Sequence, residues 1–298
     1  MKKIKSSKAY LIQIPPEDEF EPWRTSKNRT LIQVEYFDEK GLLLEEIKYD
    51  TYGQSAGRVV YNYDDRGFKI SEESFDADGN PEERTTFEYD QAGKVTGGFI
   101  HYLDDSRDTI NYEYNADGKL VCKTWVNDEG ETERIERFEY QDGNLVFESL
   151  HEEGELIRQN KFSLDEAGRI LKQEHMDSDD EYRTENEYDD KGNLIQLIKY
   201  NSDDELIEKT GYTYDEMGNR ISAITEDEFL IRKLTMEYAN KVLKSSLEQE
   251  FNKSGQLIRQ VVRIMDDEGY LTEVRVSQPG MINQFFQKYI MIYENEFF

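Results

Sequence analysis

Cysteine is all but missing. Cys122 is the only one, so no disulfide can form within the chain, and the usage fits a reducing compartment. Histidine is almost as scarce, at three residues, and no His/Cys spacing suitable for zinc exists. Positive charge is in short supply too. Lys and Arg number 37 against 65 Asp and Glu, a formal net charge of −28. Residues 1–30 run the other way, with seven basic and four acidic side chains, which leaves about −31 on the rest. Phosphate contacts need clustered cations, so nucleic acid is excluded as a partner, and an anionic membrane surface with it. No apolar run approaches the ~18 residues of a membrane-spanning helix. Met1-Lys2-Lys3-Ile4-Lys5 resembles the charged start of a signal peptide, but residues 9–16 are too short and too polar for its core. The expected location is the cytoplasm. There is no Gly-x-Ser-x-Gly elbow, phosphate loop or dinucleotide fingerprint.

What the chain has instead is a phrase repeated roughly every 25 residues: aromatic, any residue, Tyr, Asp, two polar residues, Gly. Clear copies are Tyr61-Asn62-Tyr63-Asp64 leading to Gly67, Phe87-Glu88-Tyr89-Asp90 to Gly93, and Tyr212-Thr213-Tyr214-Asp215 to Gly218. The second aromatic recurs at Tyr36, Tyr63, Tyr89, Tyr114, Tyr140, Tyr188, Tyr214 and Tyr238, with Leu164 standing in once. The turn glycine recurs at Gly41, Gly67, Gly93, Gly118, Gly143, Gly168, Gly192 and Gly218, and Asn240 takes the next slot. Asn is the non-Gly residue that best tolerates the left-handed backbone region. A fixed period of this length signals a modular array.

Each copy divides again at softer, acidic turns: Asp76–Gly79, Asn127–Gly130, Glu152–Gly154, Asp177–Asp180 and Ser202–Asp204. Between turns, runs such as Asn111-Tyr112-Glu113-Tyr114 and Arg137-Phe138-Glu139-Tyr140 alternate with a period of two, the strand signal. Short turns force antiparallel neighbours. Asp-x-x-Gly suits a type I turn closed by a residue at positive φ. Glu45–Tyr49 and Val242–Phe251 read either way locally but fall on strand positions of the array. The prediction is an all-β antiparallel meander of about twenty strands. At a twist of about 20–25° per strand it cannot stay flat, so a coiled sheet (spiral, tube or half-pipe) with the aromatic face inward is expected. A low hydrophobic content of 36% suits a sheet in which every second residue is apolar.

Residues 1–30, with Pro15, Pro16, Pro22 and Trp23, lack the period and read as an N-terminal cap to an array over 31–278. Residues 279–298 turn apolar, with Phe285, Phe286, Tyr289 and Tyr293, and read as a C-terminal cap or a docking tail.

At Tyr63-Asp64-Asp65-Arg66-Gly67, Tyr89-Asp90-Gln91-Ala92-Gly93, Tyr188-Asp189-Asp190-Lys191-Gly192 and Tyr214-Asp215-Glu216-Met217-Gly218 the chain resembles the YD-repeat (RHS-repeat) superfamily of bacterial proteins. The resemblance runs over about residues 31–271. It implies a long antiparallel sheet coiled into a spiral, in large members a hollow shell around a toxin domain. Two departures separate this chain from the large shells: a longer period, and no Asp-Pro-x-Gly-rich block with a toxin domain behind it. A small stand-alone relative is therefore expected: a scaffold, immunity-like partner or assembly accessory in a toxin or secretion system. A MORN-like open sheet is the alternative architecture.

Chemistry is sparse. His101 and His151 each lie eight residues past their turn glycine, where other copies place Tyr49, Phe75 and Tyr200; His175 is offset like Trp125. The histidines thus occupy an aromatic slot. Asp76-Ala77-Asp78-Gly79 starts like a calcium loop, but an EF-hand needs Gly and Glu where Pro81 and Phe87 stand. Carboxylate pairs abound, and none is singled out as a glycosidase dyad. No catalytic, metal or cofactor residues are assigned, and no cofactor. The expected function is non-catalytic binding of a protein partner with a basic surface. The second reading is a sugar- or peptide-binding module using Tyr rings and Trp125, and an enzyme of glycosidase type is the least favoured.

Overall fold

The computed structural model describes residues 2–15, 17–23, 28–279 and 288–298. Among the described residues twenty-two strands follow one another, against about twenty expected. They open with β1 (Ile4–Gln13), β2 (Thr30–Phe37), β3 (Leu43–Tyr49), β4 (Ser55–Tyr63), β5 (Lys69–Phe75) and β6 (Pro81–Tyr89). Next come β7 (Val95–His101), β8 (Arg107–Tyr114), β9 (Leu120–Val126), β10 (Thr132–Gln141) and β11 (Asn144–Glu152). Then follow β12 (Glu155–Leu164), β13 (Ile170–Asp177), β14 (Glu181–Tyr188), β15 (Leu194–Asn201) and β16 (Leu206–Tyr214). The last are β17 (Arg220–Asp227), β18 (Leu230–Ala239), β19 (Val242–Asn252), β20 (Leu257–Met265), β21 (Leu271–Ser277) and β22 (Lys288–Phe297). The only helical element among the described residues is a single 3-10 turn, Glu21–Trp23. The fold is an all-β antiparallel meander.

One turn recurs at both ends of the strands. In Asp64–Gly67 the Gly67 N–H donates to Asp64 O at 2.9 Å, and Asp64 N–H donates to Phe68 O at 2.9 Å. The Asp64 carboxylate accepts the N–H groups of Arg66 and Phe68, each at 2.9 Å. Gly67 sits at φ 90°. Several of the softer turns use the same geometry: Asp76–Asn80 repeats every one of these bonds. At 201–205 Asp204 takes the glycine slot at φ 64°. The array is thus more regular than its sequence. Asn240 does sit at positive φ, 52°, but as half of a two-residue turn with Lys241 at 66°. Asp142-Gly143 and Glu153-Gly154 are turns of that second kind.

The repeat tyrosine is placed by a register slip. Pairing shifts by a residue between Glu88 and Tyr89, between Glu113 and Tyr114, and between Thr213 and Tyr214. Such slips bend and twist a sheet locally. The hydroxyl then reaches back one copy: Tyr89 donates to Lys69 O at 2.8 Å, Tyr114 to Val95 O at 2.9 Å and Tyr214 to Leu194 O at 2.7 Å. Each acceptor lies two residues past a turn glycine. Just past the turn, the next side chain covers the ring. Phe68 stacks on Tyr89 with centroids 5.0 Å apart, while Lys94 and Lys119 hold their ammonium groups 5.3 and 5.0 Å from the rings of Tyr114 and Tyr140.

The chain divides into two compact units. The first comprises 1–58, 188–197 and 207–298, the second 59–187 and 198–206. In the first, β16 to β22 pair in sequence, and β22 passes to β1, which pairs in turn with β2, and β2 with β3. The first strand therefore lies between the second and the last, and neither terminal strand leaves an open edge, the usual liability of a sheet. Residues 4–13 and 288–297 are thus strands of the same meander. Phe285, Phe286 and Pro16 lie outside the described residues. Two apolar clusters anchor this unit: Ile12, Ile14 and Ile290 under Phe20 and Trp23, and Val261, Val274 and Val276 beside Tyr289 and Met291.

In the second unit β5 to β14 pair in unbroken sequence. The alternation is as expected: Tyr112, Tyr114, Phe138 and Tyr140 are half-buried, while Glu113, Arg137 and Glu139 are exposed. The aromatic rings are not fully enclosed, however. The fully buried positions go to Ile110 and Leu150 and to small or polar side chains, among them Ser71, Asp108, Ser149, Asn160 and Thr184. Buried polar groups need partners, and Asn160 has three: Glu148, Gln173 and His175.

Candidate binding groove

A meander brings every second turn to the same end. In the second unit the softer turns, at 102–106, 127–131, 152–155 and 177–180, therefore line one rim. A groove of about 700 Å³ opens between the turns at 102–106 and 152–155 and the strands that join them. Ile100 and Ile157 give it an apolar floor. Trp125 stands on β9, opposite Ile110 on one side and Arg134 on the other. Tyr102 heads its turn in the slot usually held by Asp, and Asp105 sits at φ 68° where Gly is usual.

The Tyr102 hydroxyl donates to Asp108 at 2.6 Å. That bond, then burial, then the Asp108 charge push the phenol above its ordinary pKa. Asp108 is itself buried, at 8% exposure. Glu133, Glu152, Glu153 and Glu155 complete the acidic lining. The Glu153 N–H donates to Glu133 O at 2.8 Å, which fixes the 152–155 turn against β10. Five carboxylates thus face one guanidinium, that of Arg134, which is already paired with Glu136 at 2.7 Å. None of Glu152, Glu153 and Glu155 has an ion-pair partner among the described residues.

Trp125 is not a bare ring. Lys123 Nζ lies 4.0 Å and Arg134 Cζ 4.6 Å from its centre. Burial lowers the Lys123 pKa, with Glu136 opposing. Occupied by cations, the indole is a poor stacking platform for a sugar.

The histidines are dispersed. His175 lies between Asn160 Oδ1 (2.8 Å) and Asp177 Oδ2 (3.0 Å) and stacks on Tyr182 at 4.6 Å. His101 touches Thr86 Oγ1 at 3.0 Å, and burial, then Arg84 and Arg107, lower its pKa. Among the described residues no group of three or more His, Cys, Asp and Glu side chains could hold a metal ion. One perturbed carboxyl escaped the sequence: Glu35, raised first by burial and then by Glu46 directly across the strand pair. The Gln33 amide bridges the two, at 3.0 and 3.1 Å. Glu35 does not line the groove. Tyr102 and Asp108 were also invisible, since nothing local marks a turn that borders a groove; the acidic turn at Glu152–Gly154 was visible as such.

No helix among the described residues is long and apolar enough to cross a membrane, which says nothing of strands. No protein-family model matches the chain, and no curated protein does. Solved structures are similar only at low identity. The crystal structure of TcdB2-TccC3 without hypervariable C-terminal region is 13% identical, with a TM-score of 0.33 over 95% of this chain. The chain spans 18% of that protein's length. A porin-like protein from Bacteroides uniformis ATCC 8492 is 11% identical, with a TM-score of 0.34, covering 98% of this chain and 96% of its own. A eukaryotic initiation factor is 10% identical, with a TM-score of 0.33, covering 97% and 98%. At such scores none of these likenesses bears on function.

Proposed function

We propose that this chain is a non-catalytic β-repeat scaffold that binds a protein partner by seating a basic side chain of that partner in the groove beside Trp125. One observation carries the reading: five carboxylates converge on an aromatic-walled hollow with a single, already paired cation among them. A partner guanidinium or ammonium entering it gains charge-assisted hydrogen bonds to the carboxylates of Glu152, Glu153 and Glu155. The repeat phrase supports a kinship with YD-repeat proteins, and with it an accessory or immunity-like role in a bacterial toxin or secretion system. The same reading places the protein in the cytoplasm, where a lone Cys122 stays reduced.

The test is a titration with an acetylated Gly-Arg-Gly-Arg peptide, followed by tryptophan emission in a Trp23→Phe background so that Trp125 alone reports. A saturable change that is weakened several-fold by Glu153→Gln/Glu155→Gln is expected, with a glycan array silent. Binding on the glycan array without any response to the peptide would transfer the site to the sugar-binding reading.

A further inference from the structure

One copy of the repeat lacks its tyrosine, and the lack leaves a cavity. In three copies a phenol reaches back to a carbonyl of the preceding copy, at Lys69, Val95 and Leu194. For the first two the reason lies in the register. Val95 precedes by two residues the first rung of the β7–β8 ladder, Gly97 with Asn111. Lys69 stands in the same relation to Ser71 and Thr86. The strands have splayed there, and the hydroxyl meets a carbonyl beyond the ladder. Leu145 occupies the equivalent place, two residues before Phe147 pairs with Lys161. The residue due to serve it is Leu164, which has no hydroxyl.

The ring's cover has changed as well. Where other copies lay Phe68, Lys94 or Lys119 over the tyrosine, this copy offers the short amide of Asn144. A hollow of about 360 Å³ lies beside Leu164, with Val146 and Phe162 completing its apolar lining and Asn144, Asp142 and Asp165 among its polar lining. A cavity of about 150 Å³ already accommodates a benzene ring.

We propose that this hollow is a binding site for a tyrosine side chain presented by a partner protein, whose ring replaces the missing one and whose hydroxyl donates to Leu145 O. The sibling copies define the occupant: a para-hydroxyphenyl group fills this position at Tyr89, Tyr114 and Tyr214. The inference rests on the partner being a protein, but not on the acidic groove.

The test uses N-acetyl-tyrosinamide as the probe and methyl resonances of Leu164 and Val146 as the readout. Saturable shifts confined to these methyls are expected, with N-acetyl-phenylalaninamide about five- to tenfold weaker for want of the hydroxyl bond. Leu164→Tyr should abolish both and raise the thermal midpoint. Should that variant fold poorly, Tyr114→Leu provides the converse: a second site should open, reported by the Val95 methyls. Equal affinity for the two amides, no saturable shift at Leu164, or a Tyr114→Leu protein with no second site would each overturn the proposal. None of these results would touch the arginine titration of the groove.

Discussion

The turn glycines do two jobs, and only one of them can be read locally. Positive φ is legible: an Asp-x-x-Gly phrase demands it, and Gly93 and Gly218 sit at 86° and 81°. The second job comes from the neighbouring copy. A Cβ added at Gly93 would collide with the Phe68 ring, which is held in place by its stack on Tyr89, whereas one added at Gly218 would meet nothing within 4 Å. Asn tolerates positive φ, so the two sites separate the effects. Gly218→Asn should cost less than about 1 kcal/mol, and Gly93→Asn about 1–3 kcal/mol more as Phe68 is forced off its stack. Paired urea melts check this; equal losses would mean that conformation alone selects glycine here.

At the scale of the strand and its turn, most of the fold was legible because period-two alternation and Asp/Asn/Gly punctuation are local signals. Glu45–Tyr49 and Val242–Phe251, ambiguous by themselves, became strands because the array placed them there. Hidden from view was the sameness of the two turn classes, since Asp105 and Asp204 take positive φ without any glycine to announce it. The turn aspartates also make the fold sensitive to acid. The Asn193 side-chain amide, and then its backbone N–H, hold the Asp189 carboxyl below its usual range. A folded-state pKa depressed in this way contributes stability above the unfolded value and loses it as pH falls through the folded one. Asn fills the same slot elsewhere, with Asn115 Oδ1 accepting at 3.0 and 2.9 Å and Asn252 Oδ1 at 2.9 Å. Asp189→Asn, met by Asn193 with its amide turned over, should therefore lower the urea midpoint somewhat at a pH of about 7, and lose less of it than the parent does by about pH 3, below the unfolded value of about 3.9. A variant as acid-sensitive as the parent would remove Asp189 from the explanation.

Across the whole molecule, composition gave the charge but could not give its placement. The pairing of β1 with β22 had no local signature, because both segments depart from the repeat and meet from opposite ends of the chain. The groove shared that difficulty: Tyr102, Asp108, Trp125 and Glu153 come from two turns and two of the strands between them, and only the meander's return to one rim brings them together. With a net charge of −28, any basic ligand will be drawn to this protein to some extent. Long-range attraction of that kind speeds encounter and fades with salt, whereas a seated cation changes affinity. Two variants separate these possibilities, each removing three negative charges. One is Glu152→Gln/Glu153→Gln/Glu155→Gln in the groove; the other is Asp117→Asn/Asp190→Asn/Glu216→Gln, at exposed turn positions that do not line it. The most direct measurement is the affinity of both for the Gly-Arg-Gly-Arg peptide at about 0.15 M salt, where the screening length is about 8 Å. The groove variant should bind about tenfold more weakly, a change of about 1.4 kcal/mol, and the control within about twofold of the parent. Equal losses in the two would contradict the account, because the charge would then act only as a diffuse field.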